Sequence, residues 1–579
     1  MTGLPPPVGS RCPARRGEIC APPSARILAA ILCAYAAASA FPELRRFSAF
    51  ALPAGVFLFA LLASAEVLAF SEAEPPRASR SAGIARGAVV FAAVWCVALA
   101  RFYMGVPENP YPGFAPREAS VSARISDVSR GKNGSLYGTA EVVSSEDLPL
   151  LAGQPLWFAV SDGKGGLRNP PELRPSAVAV FDGAVYPTGG ARCRSRGHSD
   201  QKSRDFDGYL EGKFVHYKIF APSSGVEVEI PASPRFGFYA KIAEYMDSSL
   251  SALPAFMSAD SEAAKTYRAM MLGDKSLLTP EQKDAFARTG VMHVFAISGL
   301  HVGFAAGILY FALSALGAGR RIQPLVALPA LFLYVAACGG RPSAMRAFGM
   351  VAVMWLASLL GRGAKPIDTI TLAAIAALAI FPRDMGDAGF ALSYCVAASI
   401  FVYSLPLFER VSEAAAPRAL YGGFFRRAYS GFRRKFFDFA AGGICISLGC
   451  SMAAFPLSAH YFGYASLASA LYSPLFVFGS GIAVSLGFAG FFLPDFAAQW
   501  LNAVSCAVVG VMNKSALALN SAADMSVDFS IKSGFAAGAA ALAFLFFADL
   551  SGRLGRRAAG FFLAPAAMGA LIMLYKLAE

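Results

Sequence analysis

Long apolar runs recur along this chain and limit its folds more tightly than any other feature. They occupy 27–41, 47–70, 87–104, 291–316, 322–338, 344–360, 367–381, 388–408, 438–462, 466–493 and 558–575, with two marginal runs at 497–520 and 534–548. A bilayer core takes about 20 residues of helix, and only helices and closed barrels satisfy every backbone polar group inside it. The chain is therefore expected to be a mostly α, polytopic membrane helical bundle of about 10 to 13 spans, the shorter runs tilting, re-entering or lying at the interface. With 56% hydrophobic and 15% charged residues over 579 positions, it is too apolar for a soluble globular protein of this size.

The formal net charge of +13 does not mark an acidic partner, because the excess sits in short loops. Arg11, Arg15, Arg16 and Arg26 precede the first run, while Arg320, Arg321, Arg362, Lys365, the dense stretch from Arg410 to Lys435, Arg553, Arg556 and Arg557 follow later ones. Basic residues gathered this way place their loops in the cytoplasm. Residues 1–26, rich in Pro, Arg and Gly, are expected as a disordered cytoplasmic tail, and 27–104 as three N-terminal transmembrane helices. Ten cysteines suggest a disulfide framework until they are placed: Cys193 alone lies in the polar insert, and no cysteine or Cys/His spacing suggests zinc. No metal or cofactor is expected.

Between the third and fourth runs the periodicity changes. From 105 to 235, Gly, Pro, Asp and Ser separate short alternating stretches: Val121, Ala123 and Ile125; Val178 and Val180; Val226, Val228 and Ile230. A period of two marks half-buried strands. The segment 105–235 is therefore expected as an extracytoplasmic β domain, a small five-stranded, OB-like barrel of the oligonucleotide-binding kind. It holds 15 basic and 15 acidic residues. Within it Arg192, Arg194, Arg196, Lys202 and Arg204 form a local basic cluster suited to phosphates. No interleaved aromatics offer bases a stacking surface there, and a solvated loop is the competing reading. Residues 236–290 read as amphipathic helices at the outer surface, Thr279, Pro280 and Glu281 forming a capped helix start.

Polar groups then enter an apolar run, in the stretch Val291–Gly307. His293, Ile297 and His301 recur at i, i+4, i+8, which puts both imidazoles on one stripe of a helix. Gly299, Gly303 and Gly307 repeat on a neighbouring face as helix-packing positions. An ionisable group at bilayer depth costs at least about 2.5 kcal/mol, so it points into the bundle or a wet cavity. This helix is expected to line a path. Gly339, Gly340, Arg341, Pro342 and Ser343 next interrupt two runs, with Arg346 one turn inside the second, and such a break frees backbone groups to line a cavity. His293, Ser298, His301, Arg341 and Arg346 are the candidate path-lining donors. Asp274 and Lys275, just upstream, are placed at the outer entrance or as an ion pair. Pro456 and Pro474 are expected to kink or break their helices.

Competing readings stand beside these. The arginines would snorkel to headgroups, and the histidines would serve as buried polar glue between helices. A third reading is an intramembrane hydrolase, with Ser298 and His301 at i, i+3 as nucleophile and base, although no acid in the span orients the imidazole.

Taken together, LGDKSLLTPEQKDAFARTGVMHVFAISGLHVG from Leu272 to Gly303 and GGRPSAMRAFGM from Gly339 to Met350 resemble the competence domain of the ComEC family of DNA-uptake proteins. Similarity continues through Phe381 and Pro382, Gly389 to Ser393, and His460, Phe462 and Gly463. Upstream, DFDGYLEGK at Asp205 to Lys213 resembles the end of the family's external β domain, so the resemblance covers about 30–500. This chain departs from the pattern at Ala391, where relatives often carry glutamine, and at Met452 and Ser469, where they tend to carry polar amides. The form expected is one that lacks the C-terminal metallo-β-lactamase-like domain of many relatives, since no His-x-His-x-Asp-His cluster is present.

The resemblance implies passage of single-stranded DNA through the cytoplasmic membrane during natural transformation, in a multi-pass protein whose N-terminus is cytoplasmic. A transporter of another anionic substrate is the alternative. The chain contains no Gly-x-x-x-x-Gly-Lys-[Ser/Thr] loop, so it is not expected to be an enzyme. A separate cytoplasmic ATPase or helicase, DNA-binding proteins, a separate nuclease and a second copy of the chain are the expected partners, beside the DNA and the lipid bilayer.

Overall fold

The computed structural model describes most of 109–578 and, before that, Ala98 alone. Outside the described residues within that range lie 112–113, 131–134, 163–172, 174–176, 189–209, 211–213, 231–233, 274–276, 296, 362–364, 416–423, 467–468, 523–525, 530, 532–533 and 554–559. The tail expected at 1–26, the helices expected at 27–104 save Ala98, the residues Asp274 and Lys275, and the cluster Arg192, Arg194, Arg196, Lys202 and Arg204 therefore lie outside the described residues. The chain divides into Met1–Ala100 and Arg101–Glu579, and the second unit is the one described below.

Six strands open this unit: β1 (Arg117–Arg130), β2 (Leu136–Ser144), β3 (Pro155–Val160), β4 (Val178–Pro187), β5 (Tyr217–Ala221) and β6 (Val226–Ile230). Their order is β1-β2-β3-β5-β4-β6, and β4 also pairs with β1, so the first five close an OB-like barrel with β6 added along β4. The 14-residue β1 reaches both neighbours because register shifts after Ser122 and Ile125 bend it, its first half pairing with β4 and its second with β2. Alternation then sorts the side chains. Val121, Ala123, Ile125, Leu156, Phe158, Phe181 and Ile219 fill the interior, all at most 1% exposed.

Helices make up the rest: α1 (Pro234–Ser251), α2 (Glu262–Leu272), α3 (Pro280–Arg288), α4 (Gly299–Ala315), α5 (Ile322–Ala337), α6 (Pro342–Leu359), α7 (Pro366–Ile380), α8 (Ala388–Ser399), α9 (Leu405–Ala414), α10 (Phe424–Tyr461), α11 (Ser469–Gly490), α12 (Asp495–Ala522), α13 (Gly534–Arg553) and α14 (Gly560–Ala578). A wide π turn over Ile400–Ser404 joins α8 to α9. Among the described residues six stretches are long and apolar enough to cross a membrane: Met292–Ala315, Pro342–Leu359, Ala388–Ala414, Arg434–Tyr461, Ala470–Gly490 and Asp495–Ser521. Shorter apolar helices lie at Ile322–Ala337, Pro366–Ile380, Ala536–Ala548 and Phe561–Tyr575. This is a membrane protein, and the marginal run 497–520 falls in one of these six candidate spans.

Among the described residues three apolar cores hold the helices, a small one around Phe286, Phe295 and Phe476 and two larger ones. One gathers Tyr267, Met270, Val302, Ala305, Leu331, Val335, Ala483, Phe488 and Val509 from α2, α4, α5, α11 and α12. The other joins Tyr403, Ala453, Phe544, Phe561 and Met568 from the π turn, α10, α13 and α14. The capped start at Thr279 forms as expected: its hydroxyl accepts from Gln282 N–H at 3.2 Å, while Gln282 Oε1 accepts from Thr279 N–H at 3.0 Å. Amphipathic α2 buries Tyr267, Met270 and Met271 on one face.

Two sequence expectations fail here and a third is narrowed. The run 291–316 is not one helix, because a 3-10 turn at Met292–Val294 precedes the start of α4 at Gly299. Of the kink or break expected at Pro456 and Pro474, the break does not occur, since α10 and α11 continue through them, as membrane helices do where neighbouring groups take up the freed carbonyls. Of the glycine repeat on α4, Gly299 packs 3.2 Å from Ala347 Cβ by the measure of an added side chain, but Gly303 and Gly307 face open space. The close approaches are made instead by Gly481 of α11 against the Phe304 ring and by Gly487 against Tyr267.

Candidate functional site

The start of α4 folds its polar groups back on itself. Ser298 is the N-cap residue, and its backbone N–H donates to His301 Nδ1 at 3.2 Å while its hydroxyl lies 2.8 Å from the same nitrogen. A shared acceptor at Nδ1 puts the ring proton on Nε2. His301 thus occupies the place that Glu or Gln takes in a capping box. The ring is 1% exposed, and its Nε2 is buried without a partner. His293 sits on the preceding turn, exposed, with Nδ1 donating to the Gly290 carbonyl at 3.0 Å. The stripe of two imidazoles does not form, since the backbone between them is not helical. Ser298 and His301 do come together, but neither ring's hydrogen bonds go to a carboxylate.

The second polar break reaches outward instead. Gly339 and Gly340, with φ of +83° and +58°, end the turn after α5 in the left-handed region, and Pro342 opens α6 at its first position. Arg341 lies against Gly273, which caps α2 with φ +78°; a side chain there would run into Ile297 and the guanidinium. A cation over the C-terminal end of α2 is favoured by the helix dipole. One turn on, Arg346 is 5% exposed by side chain and pairs with Asp387 at 3.4 Å and Asp384 at 3.8 Å, its Nε donating to Ser393 Oγ at 3.4 Å. Asp384 and Asp387 lie on the 3-10 turn Pro382–Gly386 and at the cap of α8. Burial pushes the Arg383 guanidinium of that turn down, and Glu141 on β2 pulls it back up, which marks the turn as facing the barrel.

A cleft of about 1650 Å³ opens beside this break. Its walls include Ser126 and Val228 of the barrel, Tyr239 and Asp247 of α1, Gly339 and Gly340, the α6 stripe Met345, Phe348, Ala352 and Leu356, and Ala373 and Ala377 of α7. Charge enters through Arg268, Arg346, Asp247, Glu244 and Asp384. Arg268 grips Asp247 through two bonds of 2.7 and 2.6 Å, so each arginine on the wall is already held by a carboxylate. Arg346 is thus the one sequence-expected donor among the residues lining this cleft; His293, Ser298, His301 and Arg341 are not.

Sequence reasoning missed three features. Asp384 and Asp387 were visible as acids between apolar runs, but nothing local pointed them at Arg346. Along α12, Asn502 donates to the Ser249 carbonyl at 2.8 Å and accepts from Tyr267 at 3.0 Å, and Asn513 donates to Thr266 at 2.9 Å; amides in an apolar run were the available signal. On the barrel, Tyr137, Trp157, Phe220 and Tyr186 form a chain of ring contacts on the outer face. The basic cluster itself lies outside the described residues, so these rings do not bear on it.

Against known proteins, residues 270–552 match the family model described as Competence protein. ComE operon protein 3 of Bacillus subtilis (strain 168) is 29% identical over 210 residues, which are 36% of this chain and 26% of that protein. The chain thus spans about a quarter of the length of that relative. No solved structure matches it. The match begins in α2 and ends in α13, taking in both polar breaks, the acids that hold Arg346 and the amides of α12. Residues 270–552, just under half of the chain, thus carry the domain of the competence protein family.

Proposed function

We propose that this chain is the conduit by which single-stranded DNA crosses the cytoplasmic membrane during natural transformation, with its N-terminus in the cytoplasm. The observation that carries the reading is a cleft bounded by the barrel, α1 and α2 and the competence-domain helices α6 and α7, whose wall arginines, Arg346 and Arg268, are each held by carboxylates. A conducting site must bind well enough to admit its cargo and weakly enough to release it. Paired arginines meet that need, because a phosphate takes the place of Asp387 or Asp247 and then yields to it again. The apolar and aromatic walls suit bases, which have little use for charge.

The membrane potential opposes anion entry by about 2.3 kcal/mol per charge per 100 mV crossed, so the strand is drawn by a separate cytoplasmic ATPase or helicase. DNA-binding proteins receive it, a separate nuclease supplies the single strand, and a second copy of the chain shares the path. The chain itself acts as a conduit rather than an enzyme. Outside the membrane, Arg192, Arg194, Arg196, Lys202 and Arg204 gather phosphates.

Uptake of labelled DNA tests this. In a strain lacking the gene, and in one carrying Arg346→Gln at normal abundance, DNA binds the cell surface and fails to reach the cytoplasm. Normal transformation in both strains would reject the conduit. A transporter of other anions would leave transformation intact and change export or uptake of its own substrate.

A further inference from the structure

The cleft is unevenly made, charged at one end and apolar along its length. Met345, Gly349, Ala352 and Leu356 recur at i, i+4, i+7 and i+11 on α6, and Ala373, Ala376 and Ile380 at i, i+3 and i+7 on α7, so each helix turns one apolar stripe into the opening. At about 1.5 Å of rise per residue the α6 stripe runs for about 16 Å. That is the depth of one leaflet, half of a hydrocarbon core of about 30 Å. Small residues leave a slot between the two stripes, and a side chain added at Gly349 meets nothing. Only 11% of α6 is buried against the rest of the described residues, compared with 28–47% for the other five candidate spans.

Charge gathers where α6 begins. Arg346, 5% exposed by side chain, reaches Asp387, Asp384 and Ser393 only at 3.4, 3.8 and 3.4 Å, beyond the 2.7 to 3.2 Å or so of an ordinary N–H···O bond. A nearly buried cation held this loosely gains from a closer anion. The wall also carries Arg268 with Glu244, Asp247 and Asp384, so its carboxylates outnumber its guanidinium groups. Glu244 is exposed and pairs with no cation among the described residues. A ligand that fits this wall brings a negative group for Arg346, a positive one for the carboxylates, and an apolar chain about one leaflet long.

We propose that the cleft holds one phospholipid with a primary ammonium headgroup, its phosphate on Arg346, its ammonium among the wall carboxylates and an acyl chain in the slot between α6 and α7. The volume of about 1650 Å³ exceeds the roughly 300–1,000 Å³ of a small-molecule pocket and suits a larger amphiphile. A primary ammonium donates three hydrogen bonds. A quaternary headgroup donates none, and a glycerol headgroup brings no cation for Glu244. In the conduit reading the same lipid closes the cleft toward the bilayer until an entering strand takes Arg346 from its phosphate; that consequence rests on the reading above, and the binding does not.

Full-length protein reconstituted in nanodiscs of equal parts phosphatidylethanolamine, phosphatidylcholine and phosphatidylglycerol, then released and weighed by native mass spectrometry, tests the site. Wild type retains one phosphatidylethanolamine per chain, enriched about tenfold over either other lipid. Glu244→Gln keeps one lipid and loses most of the preference over phosphatidylcholine. Ala352→Phe with Ala376→Phe fills the slot and removes the lipid, while Ala352→Ser with Ala376→Ser keeps it and shows that the fold survives. Lipid retained alike in wild type and the phenylalanine pair is annular and overturns the site. Equal retention of the three headgroups overturns it too, as does wild-type protein that carries no lipid, whether as one chain or as two, which gives the α6 face to another part of the chain or to a second copy. Transformation that persists without the gene, while wild type keeps its phosphatidylethanolamine, rejects the conduit and leaves the site standing; transformation that needs the gene, with no lipid retained, does the reverse.

Discussion

Two polar breaks interrupt the apolar helices of the competence domain, and they use their polar groups in opposite ways. At the start of α4, Ser298 and His301 satisfy each other within one turn, and the ring they hold is sealed from solvent. At the start of α6, Arg346 spans from one helix to acids 38 and 41 positions further along and borders the cleft. The first break shapes a helix; the second joins three elements around an opening. Polar residues at membrane depth therefore do not share one task, and burial alone does not separate the two, since His301 and Arg346 are both nearly inaccessible. Where the hydrogen bonds go does.

The largest effect should come from the second break. Arg346→Leu leaves Asp384 and Asp387 facing a cation that is gone, and breaking a mostly buried pair from one side costs about 3–5 kcal/mol. Thermal unfolding in detergent should show a large drop. Adding Asp387→Leu should recover part of the lost stability, because the stranded charge goes too, while uptake of labelled DNA stays absent. Uptake restored along with stability would make Arg346 a structural tie like His301 and erase the contrast.

Next in size are the glycines that set how closely helices approach. Gly481→Ala pushes a methyl group into the Phe304 ring, and overpacking of that kind costs about 1–3 kcal/mol. Gly303→Ala meets nothing and, by helix propensity, should stabilise α4 by up to about 1 kcal/mol. Unfolding midpoints of the two variants should move in opposite directions. Equal losses would mean that the exposed side of α4 is covered by another part of the assembly.

Much of this was legible beforehand, and the failures have a common cause. Periods of two and 3.6 mark the barrel strands and most spans because burial acts residue by residue. The Gly339–Pro342 break is legible because left-handed φ and a proline at a helix start are local requirements of those residue types. What was not legible depends on closure. Asp387 meets Arg346 only when α8 packs beside α6, and Trp157 meets Phe220 only when β3 and β5 run side by side 61 residues apart in number. The misjudged stretch 291–298 shows the reverse error, since its histidine spacing fits a helix that the backbone does not make.

His301 gives the finest test, because two readings of it predict opposite results for one conservative change. If its ring is a cap, the useful property is an acceptor at the third helical position that takes the Ser298 N–H. Glutamine has that property and is the ordinary residue of a capping box. His301→Gln should then unfold within about 0.5 kcal/mol of wild type and support normal uptake, whereas His301→Ala, which strands the N–H, should lose about 0.5–2 kcal/mol and reduce uptake only as far as its abundance falls. If the imidazole instead touches the strand, glutamine should fold normally and still fail, because a flexible amide replaces an aromatic ring that stacks and donates through Nε2. A stable, abundant His301→Gln protein without uptake would therefore move the first break from helix shaping to cargo contact, and the unpartnered Nε2 would be the atom that makes it.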